Sequence, residues 1–197
     1  MTVMAERPTI SGTEPHSDFE ELLDVLDELN VPDGYQAEIV RGSIVVSPWS
    51  KGYYLEVMEL VCDQLRPHLP EGHRISYGPF LYVFPGSESA YGPDIHAADR
   101  RTHKTVSNRL DGEGLSFVAE LTSDSTRKDD LTGKVEVYAK AGVPVYLVLD
   151  MQNEQATVFW SPSGSGYEGR LTKSFGERLD IPEPLNCTLD TSGFKAP

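Results

Sequence analysis

Residues 115–150 read LSFVAELTSDSTRKDDLTGKVEVYAKAGVPVYLVLD. Leu115–Leu121 is a mostly apolar strand, and Thr122–Asp129 is a polar loop. Asp130–Ala141 is predicted to be a helix, with Gly142 as its C′ residue and Pro144 just beyond. Val145–Leu149 is a short apolar run suited to a central strand covered on both faces. Strand, helix and strand in that order make one β-α-β crossover, which is right-handed as a rule.

The elements on either side extend this unit into a mixed sheet with helices on its faces, an α/β architecture. Ser17-Asp18-Phe19-Glu20 forms a capping box, followed by Phe19, Leu22, Leu23, Leu26 and Leu29 at helical spacing to about Asn30. Tyr35–Val40 and Ser43–Val46 are β-prone runs around Arg41-Gly42 and read as a hairpin. Tyr54, Val57, Met58, Val61 and Leu65 mark a second amphipathic helix, ended by Pro67. Arg74–Tyr77, Leu81–Phe84 and Asp94–Ala98 are predicted strands, and Arg100–Glu113 reads as a loop. Ala156–Trp160 and Tyr167–Thr172 suit a hairpin around Ser163–Gly166. The expected organisation is a flexible tail over 1–16, one domain over 17–185 and an irregular C-terminal tail over 186–197, with irregular chain from Pro182 onward.

The chain has 197 residues, the span of one domain with a sizeable core. No apolar run approaches the ~20 residues of a membrane helix, and Met1–His16 lacks the pattern of a secretion signal, so a cytoplasmic location without membrane contact is expected. Cys62 and Cys187 have no Cys or His neighbour at zinc-ligand spacing. Net charge is −14, which disfavours a broad nucleic-acid surface, although a local basic patch or a divalent ion can offset it.

Glu120 is the residue that asks for an explanation. A carboxylate inside so apolar a strand needs a cation, a metal or a proton. The plainer alternative is a buried ion pair with one Arg or Lys. Asp94 follows Gly92-Pro93, which alone is turn chemistry. Paired with Glu120 at the ends of neighbouring strands, it would complete an oxygen site for Mg²⁺ or Mn²⁺. Such a site polarises a phosphodiester and lowers the pKa of a bound water. Lys134, in the first turns of the following helix, can reach back toward Glu120. Glu38, in the hairpin, is either an outward strand carboxylate or a third acidic group of the site. His96 shares a strand face with Asp94, though a lone strand histidine is more often structural. Arg100, Arg101, Lys104, Arg109, Arg127 and Lys128 are candidates for phosphate contact, with a solvated loop as the equal alternative. Walker A, GxGxxG, HExxH and GxSxG patterns are absent.

Three blocks carry a family resemblance. They are Tyr35-Gln36-Ala37-Glu38-Ile39-Val40-Arg41-Gly42-Ser43-Ile44-Val45-Val46-Ser47-Pro48, then Gly92-Pro93-Asp94-Ile95, then the run from Phe117 through Glu120, Ser123, Thr126, Asp130, Lys134, Tyr138 and Gly142 to Asp150. Together they span more than half the chain and resemble the Uma2 family of restriction-endonuclease-like proteins. The resemblance implies the PD-(D/E)xK nuclease fold, a restriction-endonuclease-like mixed β-sheet flanked by helices. It also implies divalent-metal-dependent cleavage of phosphodiester bonds in nucleic acid, DNA foremost. Asp94 and Glu120 stand at the motif carboxylates, and Glu38 at the N-terminal acidic position. Thr122 stands where the usual lysine would, and Lys134 on the next helix takes that part. Trp49-Ser50-Lys51 replaces a segment in which the family often has His, which puts that position's role in doubt. A homodimer is in keeping with folds of this kind. Two rival readings stay open: a catalytically inactive interaction module with the same fold, and a hydrolase of a small phosphorylated molecule.

Overall fold

Two short β-prone runs can close into a hairpin only if the residues between them tolerate left-handed backbone. Arg41 and Gly42 do so, with φ of 49° and 73°. They join β2 (Tyr35–Val40) to β3 (Ser43–Pro48), with Val40 opposite Ser43. The computed structural model describes residues 3–4, 18–78 and 80–194.

In chain order, β1 (Val3–Met4) and α1 (Asp18–Glu28) precede this hairpin, and α2 (Tyr54–Leu65) follows it. The next strands are β4 (His73–Ser76), β5 (Leu81–Phe84), β6 (Ser89–Tyr91), β7 (Ile95–Asp99) and β8 (Arg109–Asp111). The central crossover comprises β9 (Leu115–Leu121), α3 (Arg127–Asp130), α4 (Gly133–Lys140) and β10 (Val145–Asp150). A long hairpin, β11 (Gln155–Ser163) and β12 (Gly166–Ser174), leads to a short one, β13 (Arg178–Ile181) and β14 (Cys187–Asp190).

These strands form two six-stranded sheets and the separate β13–β14 pair. One sheet runs β1-β3-β2-β6-β5-β8 and the other β12-β11-β10-β9-β7-β4. Parallel β9 and β10 lie at the centre of the second, and every residue of both is buried. Their alternation feeds two cores. Phe117, Ala119, Leu121, Val145, Leu147 and Leu149 pack with α2 and β13–β14. Val118, Tyr146 and Val148 face the other way, against Val137 and Tyr138 of α4 and Tyr82 and Tyr91 of the first sheet. The central sheet is thus covered on both faces, as its continuous apolar strands require. No helix among the described residues is long and apolar enough to cross a membrane.

Several elements differ from the sequence reading. The helix expected over 130–141 is two pieces, because Thr132 leaves helical geometry at φ −136° and its hydroxyl turns back to the Lys128 carbonyl, 2.7 Å away. Gly133 then opens α4, and a Cβ there would collide with the Asp129 carboxylate. Within the expected loop 100–113, Arg109–Asp111 pairs parallel with β5. The irregular C-terminal tail expected over 186–197 contains β14, and Leu189 and Phe194 are fully buried. Arg109–Asp111, with Leu110 its single apolar residue, carries too little periodicity to be read as a strand. Asp94 immediately precedes β7 rather than opening it. Of the expected tail, Val3 and Met4 pair with Val46 and Val45, while the rest of residues 1–17, including the Ser17 capping position, lies outside the described residues.

Leu147, fully buried at the centre of β10, tests this arrangement. Leu147→Ala leaves a cavity among strands that cannot close on it, and should cost about 2–5 kcal/mol in urea denaturation.

Candidate active site

Antiparallel pairing of β7 with β9 sets Ile95 opposite Ala119, so Asp94 falls opposite Glu120. Directly opposed residues point to the same face, with Cβ atoms roughly 4.5–5.5 Å apart. That face is the one covered by α4. Lys134 and Tyr138, four residues apart on α4, form one stripe above the two carboxylates, and Asp130, the last residue of α3, joins them across the break at Thr132. Glu38 arrives from β2 of the other sheet and completes the group.

The contacts are specific. Lys134 Nζ donates to Glu120 Oε1 at 2.9 Å, and the Tyr138 hydroxyl donates to the same oxygen at 2.8 Å. Glu120 Oε2 accepts no hydrogen bond among the described residues. Lys134 Nζ also lies 3.9 Å from Glu38 Oε2 and 3.3 Å from Asp130 Oδ1. The Asp130 contact is an ion pair without hydrogen-bond alignment, since this oxygen is buried with no hydrogen-bond donor. The Tyr91 ring lies beneath the ammonium, 5.2 Å from its centroid. Asp94 is fixed from both sides: Ser50 Oγ donates to Oδ1 at 2.6 Å and the Leu121 amide to Oδ2 at 2.8 Å. The Gly92 amide holds Glu38 Oε1 at 2.7 Å.

Four carboxylates therefore face one ammonium, largely out of water. Burial pushes the Glu120 carboxyl well above the usual range, against the pull of Lys134, and the neighbouring acids push the same way. Burial likewise raises Glu38, opposed by Lys134 and the Gly92 amide. Burial also raises Asp94, opposed by Ser50 and the Leu121 amide. At Lys134 burial works against the charge, but Glu120, Glu38 and Asp130 override it and hold the ammonium well above ordinary lysine. The cluster keeps its one cation and remains short of positive charge.

Asp94, Glu120, Lys134 and Glu38, singled out in the sequence, all meet in one cleft of about 280 Å³. The donor set suits a hard divalent ion that retains several waters and takes one or two carboxylates, here Asp94 and the open edge of Glu120. Among the described residues, no three His, Cys, Asp or Glu side chains converge as metal ligands, so water would have to complete the shell. Thr122 cannot replace the missing lysine. It is fully buried, and its hydroxyl bonds to Gln152 Oε1 at 2.6 Å and receives the Met151 amide at 3.2 Å. His96 stays out of the site. Its ring packs against Phe80, Tyr82 and His103, with both nitrogens unbonded, and burial first, then His103, lowers its pKa to about 4. Asp130 and Tyr138 escaped the sequence reading as site residues, although their four-residue spacing from Lys134 was a usable signal. Ser50 gave none.

A carboxyl whose folded pKa is raised binds its proton more tightly in the folded state. Its stabilising contribution is full below the unfolded value, 4.5 for Glu120, and is lost as pH rises through the folded value. Wild type should therefore lose stability relative to Glu120→Gln as pH rises above 4.5, in denaturation run with EDTA. Parallel profiles for the two proteins would contradict the burial argument.

A crystal structure described as a putative nuclease belonging to DUF820, from Anabaena variabilis, superposes with a TM-score of 0.67 at 14% identity. The match covers 89% of this chain and 97% of that one, and it shows a shared fold. No curated protein matches the sequence. The model of the Uma2 family, described as "Putative restriction endonuclease", matches residues 18–192, and the chain belongs to that family.

Proposed function

We propose that the protein is an endonuclease that hydrolyses phosphodiester bonds of nucleic acid, DNA in the first instance, with Mg²⁺ or Mn²⁺ held by Asp94 and Glu120. One observation carries this reading: buried carboxylates outnumber buried cations around Glu120, and the Oε2 edge of that residue is open. A divalent ion bound there would supply Lewis acidity to the phosphate and acidify a water. Family membership supports the same reaction class.

The protein's own groups have separable parts. Ser50 and the Leu121 amide keep Asp94 from turning away, so its carboxylate is preorganised. Lys134 and Tyr138 do the same for Glu120 from the opposite side. The Lys134 ammonium stays charged and would offset the negative charge that grows on the phosphate as water attacks phosphorus and the P–O bond breaks. Glu38 Oε2 accepts no hydrogen bond among the described residues and could take one from the attacking water.

The rival reading, an interaction module that keeps the fold without activity, draws on the double occupancy of Glu120 Oε1 and on the net charge of −14. Labelled DNA and RNA incubated with Mg²⁺, Mn²⁺ or EDTA decide between them. Expected is metal-dependent cleavage that falls at least ~10²-fold in Asp94→Asn, Glu120→Gln and Lys134→Met. No cleavage of either polymer with either ion would favour the inactive module.

A further inference from the structure

The acidic chain carries a basic cleft. About 900 Å³ in volume, it lies along β4, the edge strand of the second sheet, and is lined by Arg66, Arg74, Arg100, Lys104, His73 and His103. No Asp or Glu among the described residues lines it. Arg74, Arg100 and Lys104 are exposed and have no acidic partner among the described residues. Three other loop cations are committed elsewhere. Arg101 pairs with Asp99 at 2.9 Å, Arg127 with Asp150 at 2.7 Å, and Arg109 with Asp24 and Asp27 at 2.7 Å each. Three free cations in one cleft of a protein with net charge −14 are a local surplus that acidic neighbours have not neutralised.

Phe80 lines this cleft and also a second groove with Tyr35, Trp49, Gln36, Glu38 and Gly92. The last four of these also line the carboxylate cleft. Basic cleft, aromatic groove and carboxylates are therefore joined by shared walls. Phe80, Tyr35 and Trp49 are 41%, 39% and 51% exposed, although large aromatics on a free surface gain nothing by it. His96 and His103 contact the Phe80 ring edge-on, with ring centroids 5.4 and 5.6 Å away. Cations that track a backbone and aromatic faces for successive bases are the two parts of a single-strand site.

We infer that a single strand of nucleic acid lies with its phosphates in the Arg74–Arg100–Lys104 cleft and its bases over Phe80, Tyr35 and Trp49, and leads to the carboxylate site. This rests on the proposed nuclease reading for its direction, but binding in the cleft is separable from cleavage. A stacked duplex would hide the base faces that the aromatics would use, so single strands should bind more tightly than duplexes of the same sequence.

Fluorescence anisotropy of a fluorescein-labelled DNA single strand and its duplex, titrated with the full chain in Mg²⁺ and in EDTA over a salt series, tests it. The single strand should bind more tightly than the duplex. Arg74→Ala/Arg100→Ala/Lys104→Ala should weaken it about 10- to 100-fold and lower the salt slope by about one per cation removed. Phe80→Ala should weaken it about tenfold with the slope unchanged. The three cations are exposed and unpaired, so an unchanged melting temperature verifies that the triple variant is folded. No single-strand binding by wild type, equal or tighter binding of the duplex, or an unchanged triple variant would each overturn the inference. A strand that binds through the cleft and is never cut would instead overturn the nuclease reading and leave the cleft standing.

Discussion

Among the described residues, Lys134 is the one cation within ion-pair distance of Glu38 on β2, Glu120 on β9 and Asp130 on α3, and Asp94, just before β7, lines the same cleft. Taking a charge out of water is tolerable only if the surroundings repay it, and a buried pair broken on one side costs about 3–5 kcal/mol. That requirement sets much of the neighbouring structure. It explains why α4 places Lys134 and Tyr138 on one stripe and why both reach the same oxygen of Glu120. It accounts for the Tyr91 ring beneath the ammonium, and for the Gly92 and Leu121 amides turned toward Glu38 and Asp94. The first sheet and the central sheet are tied together at this point by charge as well as by the apolar contacts of Tyr82, Tyr91 and Tyr138.

Much of this was legible in the sequence, for identifiable reasons. β9 and β10 are continuous apolar runs, and a carboxylate inside one of them cannot be a solvated surface group, so Glu120 declared itself. Asp94, Lys134 and Glu38 followed from spacing and family resemblance. Asp130 and Tyr138 lay at helical spacing from Lys134 but looked like ordinary helix residues, because nothing local marks a tyrosine hydroxyl as the second donor to a strand carboxylate. Ser50 is 44 residues from the Asp94 it holds, a contact only the fold creates. The helix break at Thr132 and the short strands β8 and β14 were hidden by their length, since neither offers enough positions to show a period.

The charged loops teach the same lesson. Six loop cations looked equivalent in the sequence. The fold sorts them by what lies opposite: Arg109 meets α1, Arg127 meets the end of β10, and Arg101 meets its own neighbour Asp99. Arg100 and Lys104 instead join Arg66 and Arg74, which belong to other elements, in a cleft that no stretch of sequence announces. A net charge of −14 thus says little about where a polyanion could sit, because Arg66, Arg74, Arg100 and Lys104 share one cleft.

Whether the carboxylate cluster takes a divalent ion is the point on which the functional account turns. Titration calorimetry of Mn²⁺ into wild type, Asp94→Asn and Glu120→Gln at neutral pH addresses it without any substrate. The expected result is one binding event in wild type, with release of protons from the raised carboxyls, and its loss in both variants. A wild type that binds no ion, or variants that bind it equally well, would contradict the assignment of Asp94 and Glu120 as the shared ligands.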